Sequence, residues 1–370
     1  MNRYISDIDT VRLNPAGDGI EIIDQTKLPG RIHIETLKRQ EDIWHAINIL
    51  QVRGAPAIGV TAGFAMYLAA LAISRDQTVN GNPDHMKKER FFTRLAAAKT
   101  YLNSARPTAV NLSWATQRME DSAKKFFEEN PAKDNLTTVL NTVEHLKAEA
   151  LSIYEEDIAT CKAIGENALT LVKKGDGLLT HCNAGKLATV RYGTATSVMY
   201  LGHEKGYGFK IYCDETRPLN QGSRLTAFEL SEAGMDVTLL CDNMSASLMK
   251  SGAVNAIFVG CDRVAANGDT ANKIGTSLLA LAAKHYNVPF YVCAPTSTID
   301  LSCSCGDEIV IEQRPSEEVT KMWFENPIAP EKIKVYNPSF DVTDASLISA
   351  IITEKGIIKG DYLSNLKTLT

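Results

Sequence analysis

The sequence predicts an α/β protein, with a mainly helical N-terminal domain carrying a small sheet and a doubly wound, Rossmann-like parallel-sheet domain after it. The first observation behind this is a series of short apolar runs at Gly177–Cys182, Phe209–Cys213, Val237–Cys241, Ala256–Gly260, Pro289–Cys293 and Glu308–Glu312. The second is that helix-like segments such as Gly222–Gly234 and Gly275–Tyr286 separate most of them. Apolar strands alternating with helices form parallel sheets covered on both faces. Third, the first half lacks this alternation and reads as successive helices.

Taken in order, Gly19–Asp24 and Arg31–Ile34 are short alternating stretches suited to the small sheet. Helices are expected at Glu41–Val52, Gly59–Ser74, Met86–Asn103 and Trp114–Glu129, the last stopped by Asn130-Pro131. The segment 129–135 is the best linker, giving domains 1–135 and 136–370. Two more helices, Leu136–Ile153 and Ile158–Val172, lead to Lys173-Lys-Gly-Asp-Gly177, where the β pattern begins. Gly54–Ser74 is uncharged and long enough to cross a bilayer. Pro56, Gly59, Gly63 and its alanines favour a buried helix instead, so no membrane partner is expected.

Composition excludes several classes. The 370 residues carry 39 Lys and Arg against 44 Asp and Glu, a net charge of -5, and such a balance does not suit a nucleic-acid partner. No apolar leader follows Met1, and several of the eight cysteines sit in or at the ends of apolar runs, so reduced thiols in a cytoplasmic protein are expected. No Cys-x-x-Cys pair occurs, and a metal site is not expected. Gly206-Tyr-Gly208 precedes a strand, and Gly185-Lys186 runs into Leu187, so neither nucleotide loop is present and no cofactor is implied. The Gly-x-Ser-x-Gly elbow of esterases is also missing.

Ligands on doubly wound sheets bind beyond the carboxyl ends of the strands. Those ends carry His181-Cys182-Asn183-Ala184-Gly185, Asp214-Glu215-Thr216-Arg217, Asp242-Asn243 and Cys261-Asp262-Arg263. Cys182, ahead of a helix expected to enter through Asn183 and Gly185, would have its thiolate favoured by backbone N–H groups. It equally suits a buried structural thiol. Asp262 follows a wholly apolar strand, a setting that raises a carboxyl pKa, yet it also suits a plain turn residue or a partner of Arg263. Arg53-Gly54-Ala55-Pro56 at a helix start, Arg106 in Ser104-Ala-Arg-Pro107, and Asn272-Lys273 ahead of Gly275 are candidate phosphate ligands. Taken singly, each arginine also fits a surface ion pair.

As a set, these motifs resemble the methylthioribose-1-phosphate isomerases of methionine salvage, which are related to regulatory subunits of a translation-initiation nucleotide-exchange factor. The resemblance is carried by Arg53-Gly-Ala-Pro-Ala-Ile-Gly59, Ser104-Ala-Arg-Pro-Thr-Ala-Val-Asn111, His181-Cys-Asn-Ala-Gly185 and Glu215-Thr-Arg-Pro218. Gln221-Gly-Ser-Arg-Leu-Thr-Ala-Phe-Glu-Leu230, Asp262-Arg-Val-Ala-Ala-Asn-Gly-Asp269 and Asn272-Lys-Ile-Gly-Thr276 extend it along the chain. It implies Cys182 and Asp262 as the catalytic pair, and Arg53, Gly54, Ala55, Arg106, Gln221, Asn272 and Lys273 as substrate ligands. It further implies a sugar-phosphate substrate, a homodimer, and neither metal nor nicotinamide. Lys186 and Cys261 depart from the family pattern, which has small uncharged residues there, and Lys186 would then alter phosphate affinity.

Overall fold

The computed structural model describes residues 5–79, 88–107 and 109–369. Chain contacts divide it into two compact units. The N-terminal unit comprises Ile8–Ala159 and Leu187–Arg191. The C-terminal unit comprises the described part of Met1–Asp7, Thr160–Lys186 and the chain from Tyr192 onward.

The N-terminal unit has a three-stranded antiparallel sheet of β1 (Val11–Leu13), β2 (Ile20–Ile23) and β3 (Ile34–Leu37). Its helices are α1 (Gln40–Asn48), α2 (Ala55–Val79), α3 (Lys88–Asn103), α4 (Val110–Glu129) and the first part of α5 (Asn135–Leu169). The apolar α2 is the core of this unit: the stretch Ala55–Asp76 is long and apolar enough to cross a membrane, but 89% of its most apolar window is buried. Phe64, Met66 and Ile58 on it pack with Phe91, Leu112, Met119 and Leu146 of the neighbouring helices. The expected α3 start at Met86 lies outside the described residues. Asn135, the expected boundary, is the first residue of α5, and α5 is one helix of 35 residues where two were expected. The cluster Glu155-Glu156-Asp157 reads as a break, yet its charges are satisfied in place. Glu156 accepts both Arg118 Nη atoms at 2.5 and 2.7 Å, and Asp157 accepts the Val190 N–H at 2.7 Å.

In the C-terminal unit, the strands in chain order are β4 (Gly177–Thr180), β5 (Lys210–Asp214), β6 (Asp236–Leu240), β7 (Ala256–Val259), β8 (Arg263–Ala265) and β9 (Thr270–Lys273). They continue with β10 (Phe290–Cys293), β11 (Ile299–Asp300), β12 (Phe340–Thr343), β13 (Ala350–Thr353) and β14 (Gly356–Ile358). The main sheet has the order β14-β13-β10-β7-β4-β5-β6, and only β14 runs antiparallel. Consecutive strand residues enter opposite cores, as Leu178 and Phe258 do against Leu179 and Ile257. That is the two-sided burial which makes these strands read as continuous apolar runs.

One strand expectation is corrected. Glu308–Glu312 is not a strand: it begins in a short 3-10 turn at Gly306–Glu308, and Val310 is 93% exposed. The sixth parallel strand is Ala350–Thr353, fully buried beside β10. A second sheet, β11-β8-β9-β12, was not legible from the sequence, and it carries Asn272 and Lys273.

Candidate active site

The strand order turns direction between β4 and β7: β5 and β6 lie on one side, and β10 and β13 on the other. Such a switch point leaves a crevice beyond the strand ends where ligands bind. Cys182 lies two residues beyond the last residue of β4, and Asp262 three beyond that of β7. Gly260 has no side chain because Ala184 is in the way; a Cβ there would lie 2.4 Å from the Ala184 Cβ. The structure thus brings the segments bearing Cys182 and Asp262 to adjacent places on one sheet edge.

Cys182 is half-buried and held in a left-handed conformation, φ 65°. Both of its backbone polar groups are fastened by threonines. Its N–H donates to Thr216 Oγ1 at 2.8 Å, and its carbonyl accepts from Thr226 Oγ1 at 2.6 Å. Backbone strain at a non-glycine residue persists only where surroundings over-determine it, and such positions cluster at functional sites. The helix expected to start at Asn183–Gly185 is absent. The chain stays irregular, apart from a 3-10 turn at Lys186–Ala188, until the helix Ser197–Glu204. No helix N-terminus therefore acts on the thiol from its own segment.

Beneath Cys182 is a buried polar cluster that the sequence reading did not single out. His181 Nδ1 lies 3.0 Å from Asp214 Oδ2, and its Nε2 lies 2.9 Å from the carbonyl of Ile274. Asp214 also accepts from Ser245 Oγ. Asp242 accepts the N–H groups of Thr216 and Arg217 at 2.7 and 2.8 Å, fixing the turn that holds Cys182. His181, Asp214 and Asp242 have the spacing of metal ligands. Their ligand atoms are, however, already engaged in these bonds, so the cluster suits a hydrogen-bond hub better than a metal centre. Burial alone lowers the imidazole pKa of His181, but Asp214, Asp242 and the Ile274 carbonyl together outweigh it and the net direction is up.

Gln221 is buried beside the same turn, and its Oε1 has no hydrogen-bond partner among the described residues. An orphaned buried acceptor suits a ligand hydroxyl. Gln221 opens onto a π-helical stretch, Gly222–Ala227, a local feature frequent at functional sites. Asn272 is buried and donates to Thr276 Oγ1 at 3.1 Å, while Lys273 Nζ sits 4.7 Å from the Phe340 ring centroid. The Asp262 N–H donates to the Ala271 carbonyl at 2.9 Å, which ties the acid's segment to the residue before Asn272. Asp262 itself is exposed, so the apolar strand before it does not give its carboxyl the dry setting expected.

The remaining candidates belong to the N-terminal unit. Gly54, at φ 87°, leaves only 2.6 Å between a built Cβ and Ala188, so a side chain is excluded there. Arg53, Gly54 and Ala55 lead into α2, and Arg106 precedes α4. Gly59 of α2 lies against Asn111 of α4, so the two helix starts meet within this unit. Lys186 is buried, and its Nζ donates to the Ile5 carbonyl at 2.7 Å, an inward course that does not suit phosphate binding. The Cys261 thiol donates to the Arg263 carbonyl at 2.9 Å, and burial together with Asp262 holds its pKa well up. All eight cysteines are free.

Comparison with known proteins places these features in a family. Residues 51–360 match the initiation factor 2 subunit family. A methylthioribose-1-phosphate isomerase of Symbiobacterium thermophilum is 53% identical over 98% of this chain and 96% of its own. A 5-deoxyribose 1-phosphate isomerase of Clostridium botulinum (strain Langeland) is 51% identical over 95% of each. Among solved structures, 5-methylthioribose 1-phosphate isomerase from Pyrococcus horikoshii OT3 matches with a TM-score of 0.87, 40% identity, and coverage of 98% and 95%. The translation initiation factor eIF-2B, subunit delta, from A. fulgidus matches with a TM-score of 0.84, 37% identity, and coverage of 98% and 99%.

Proposed function

Because the chain belongs to the initiation factor 2 subunit family, and within it to the methylthioribose-1-phosphate isomerases, we propose that it converts 5-methylthio-α-D-ribose 1-phosphate to 5-methylthio-D-ribulose 1-phosphate in methionine salvage. It does so as a cytoplasmic homodimer. The observation that supports this reading is that the segments bearing Cys182 and Asp262 follow two adjacent strands, β4 and β7, at the switch point of the sheet.

The chemistry needs such a pair. Phosphate on the anomeric carbon blocks the spontaneous ring opening available to free sugars. Asp262 delivers a proton to the ring oxygen as the C1–O bond breaks. Hydrogen then passes from C2 to C1, so that C2 is oxidised to the ketone while C1 is reduced, and no outside electron acceptor enters the balance. Cys182 takes part either as the thiolate that removes the C2 proton, giving an enediolate, or as a group stabilising a hydride shift. Because the Asp262 carboxyl is exposed in the free chain, its proton-donor role relies on bound substrate to exclude water.

Arg53, Gly54, Ala55, Arg106, Gln221, Asn272 and Lys273 bind the substrate in this reading. Arg53→Ala is expected to raise KM by about tenfold or more, with a smaller change in kcat, since a guanidinium–phosphate contact is strong in ground and transition states alike. Steady-state kinetics showing an unchanged KM would remove Arg53 from the site.

The 5-deoxyribose 1-phosphate isomerase relative favours a second substrate of the same class, and ribose 1,5-bisphosphate is a third. Proton NMR of the purified protein with each sugar phosphate, following loss of the anomeric signal, ranks them; light scattering on the same sample reports the dimer. The methylthio sugar is expected to turn over fastest. Turnover of none of the three would favour instead a regulatory role like that suggested by the likeness to the initiation factor subunit.

A further inference from the structure

We propose that His181 is a positioning residue that fastens the loop following β9, the strand that ends in Asn272 and Lys273, to the strand end carrying Cys182, a role that rests on the function proposed above. The imidazole bridges two segments far apart in sequence. On one side it continues directly into Cys182. On the other its Nε2 reaches the carbonyl of Ile274, next to Lys273, at 2.9 Å. A carbonyl can only accept, so Nε2 carries a hydrogen and donates it.

The other ring nitrogen faces Asp214 Oδ2 at 3.0 Å, and Asp242 Oδ1 lies 3.9 Å away. The Asp341 carboxylate acts on the ring from β12. Asp214 and Asp242 therefore face the imidazole directly, and Asp341 acts on it electrostatically. With Nε2–H committed to Ile274, the His181–Asp214 pair holds a second proton between its facing atoms. Ser245 Oγ donates to the other oxygen of Asp214 and fixes that carboxylate in turn.

The loop is shaped to receive the ring. Gly275 has φ 103°, and a Cβ built on it would lie 2.9 Å from His181 Cε1, so the glycine backbone rests on the imidazole itself. Asp341 secures the far side of the same loop by accepting the N–H groups of Gly275 at 2.8 Å and Ser277 at 3.1 Å. Asn272 and Lys273, two of the proposed substrate ligands, are thus linked to the Cys182 segment through one buried side chain.

The two ring nitrogens can be mimicked separately. His181→Gln places an amide N–H near the position of Nε2 and keeps the bridge to Ile274. His181→Asn reaches only Asp214 and loses the bridge. Steady-state kinetics with the best substrate and hydrogen exchange of the peptide 270–278 are measured on both variants and the wild type. His181→Asn is expected to raise KM about tenfold and to speed exchange of that peptide, while His181→Gln restores both to within about threefold of wild type. Unchanged exchange in His181→Asn, equal defects in both variants, or faster exchange with unaltered kinetics would each overturn the proposal. If His181→Asn does not fold, Asp214→Asn takes its place, with the same peptide expected to loosen. Wild-type protein inactive on every sugar phosphate would refute the proposed function, while exchange alone would still decide whether the bridge exists.

Discussion

Cys182→Ala and Asp262→Asn are each expected to abolish turnover of the sugar phosphate while leaving its binding within a fewfold of wild type. In the proposed reaction both substitutions remove a reacting group without removing a ground-state contact of comparable strength. A positioned acid or base contributes roughly 10²- to 10⁴-fold, and groups acting as a unit lose most of the rate when either is lost. Alanine at 182 inherits the strained φ of 65° but keeps the backbone bonds to Thr216 and Thr226, so the fold of the turn is expected to survive. Asparagine at 262 keeps size and exposure, and the N–H bond to Ala271 is unaffected. NMR of the anomeric proton measures turnover, and calorimetry measures binding. A fully active variant of either kind would remove that residue from the chemistry, and loss of binding in both would make them ligands instead.

Much of this site was legible before any coordinates, because chemistry in a doubly wound sheet is confined to strand ends. Cys182 ends one short apolar run, and Asp214, Asp242 and Asp262 follow others. The order of the strands that carry them was not legible. The order in which strands pair is set by long-range packing, and nothing in local spacing puts β4 between β5 and β7. His181 was passed over for that reason, since both its partners come from segments 33 and 93 positions away. The misread strand at Glu308–Glu312 shows the opposite limit. Its Ile309-Val-Ile311 has the composition of a buried strand, but Val310 stands in solvent, because the sheet position beside β10 is taken by Ala350–Thr353. Asp262 shows it again: the apolar character of one strand does not extend to the first residues beyond its end.

The largest loss of stability is expected from the smallest addition, Gly222→Ala. A Cβ at this position would lie 1.6 Å from the Asp214 carbonyl oxygen and 2.8 Å from Thr216 Oγ1. Neither neighbour is a flexible side-chain end. One is the backbone of β5, paired on both sides in the sheet, and the other is the hydroxyl that holds the N–H of Cys182. Relief requires a shift of an ångström or more, and overpacking of this kind costs about 3 kcal/mol or more. The shift would move Asp214, which grips His181, and Thr216, which grips Cys182, and a 1 Å misplacement near reacting groups costs about 10²-fold in rate. Gly234→Ala separates the two effects. Its φ of 81° makes alanine strained there, yet nothing lies within 4 Å of the added atom. It is expected to cost about 1 kcal/mol with no change in kcat. Denaturant melts and steady-state kinetics on both variants test the argument. Gly222→Ala with near wild-type stability and rate would show that the turn around Cys182 yields freely, and that the hydrogen bonds accepted by Thr216 Oγ1 and Asp242 do not fix the thiol for catalysis.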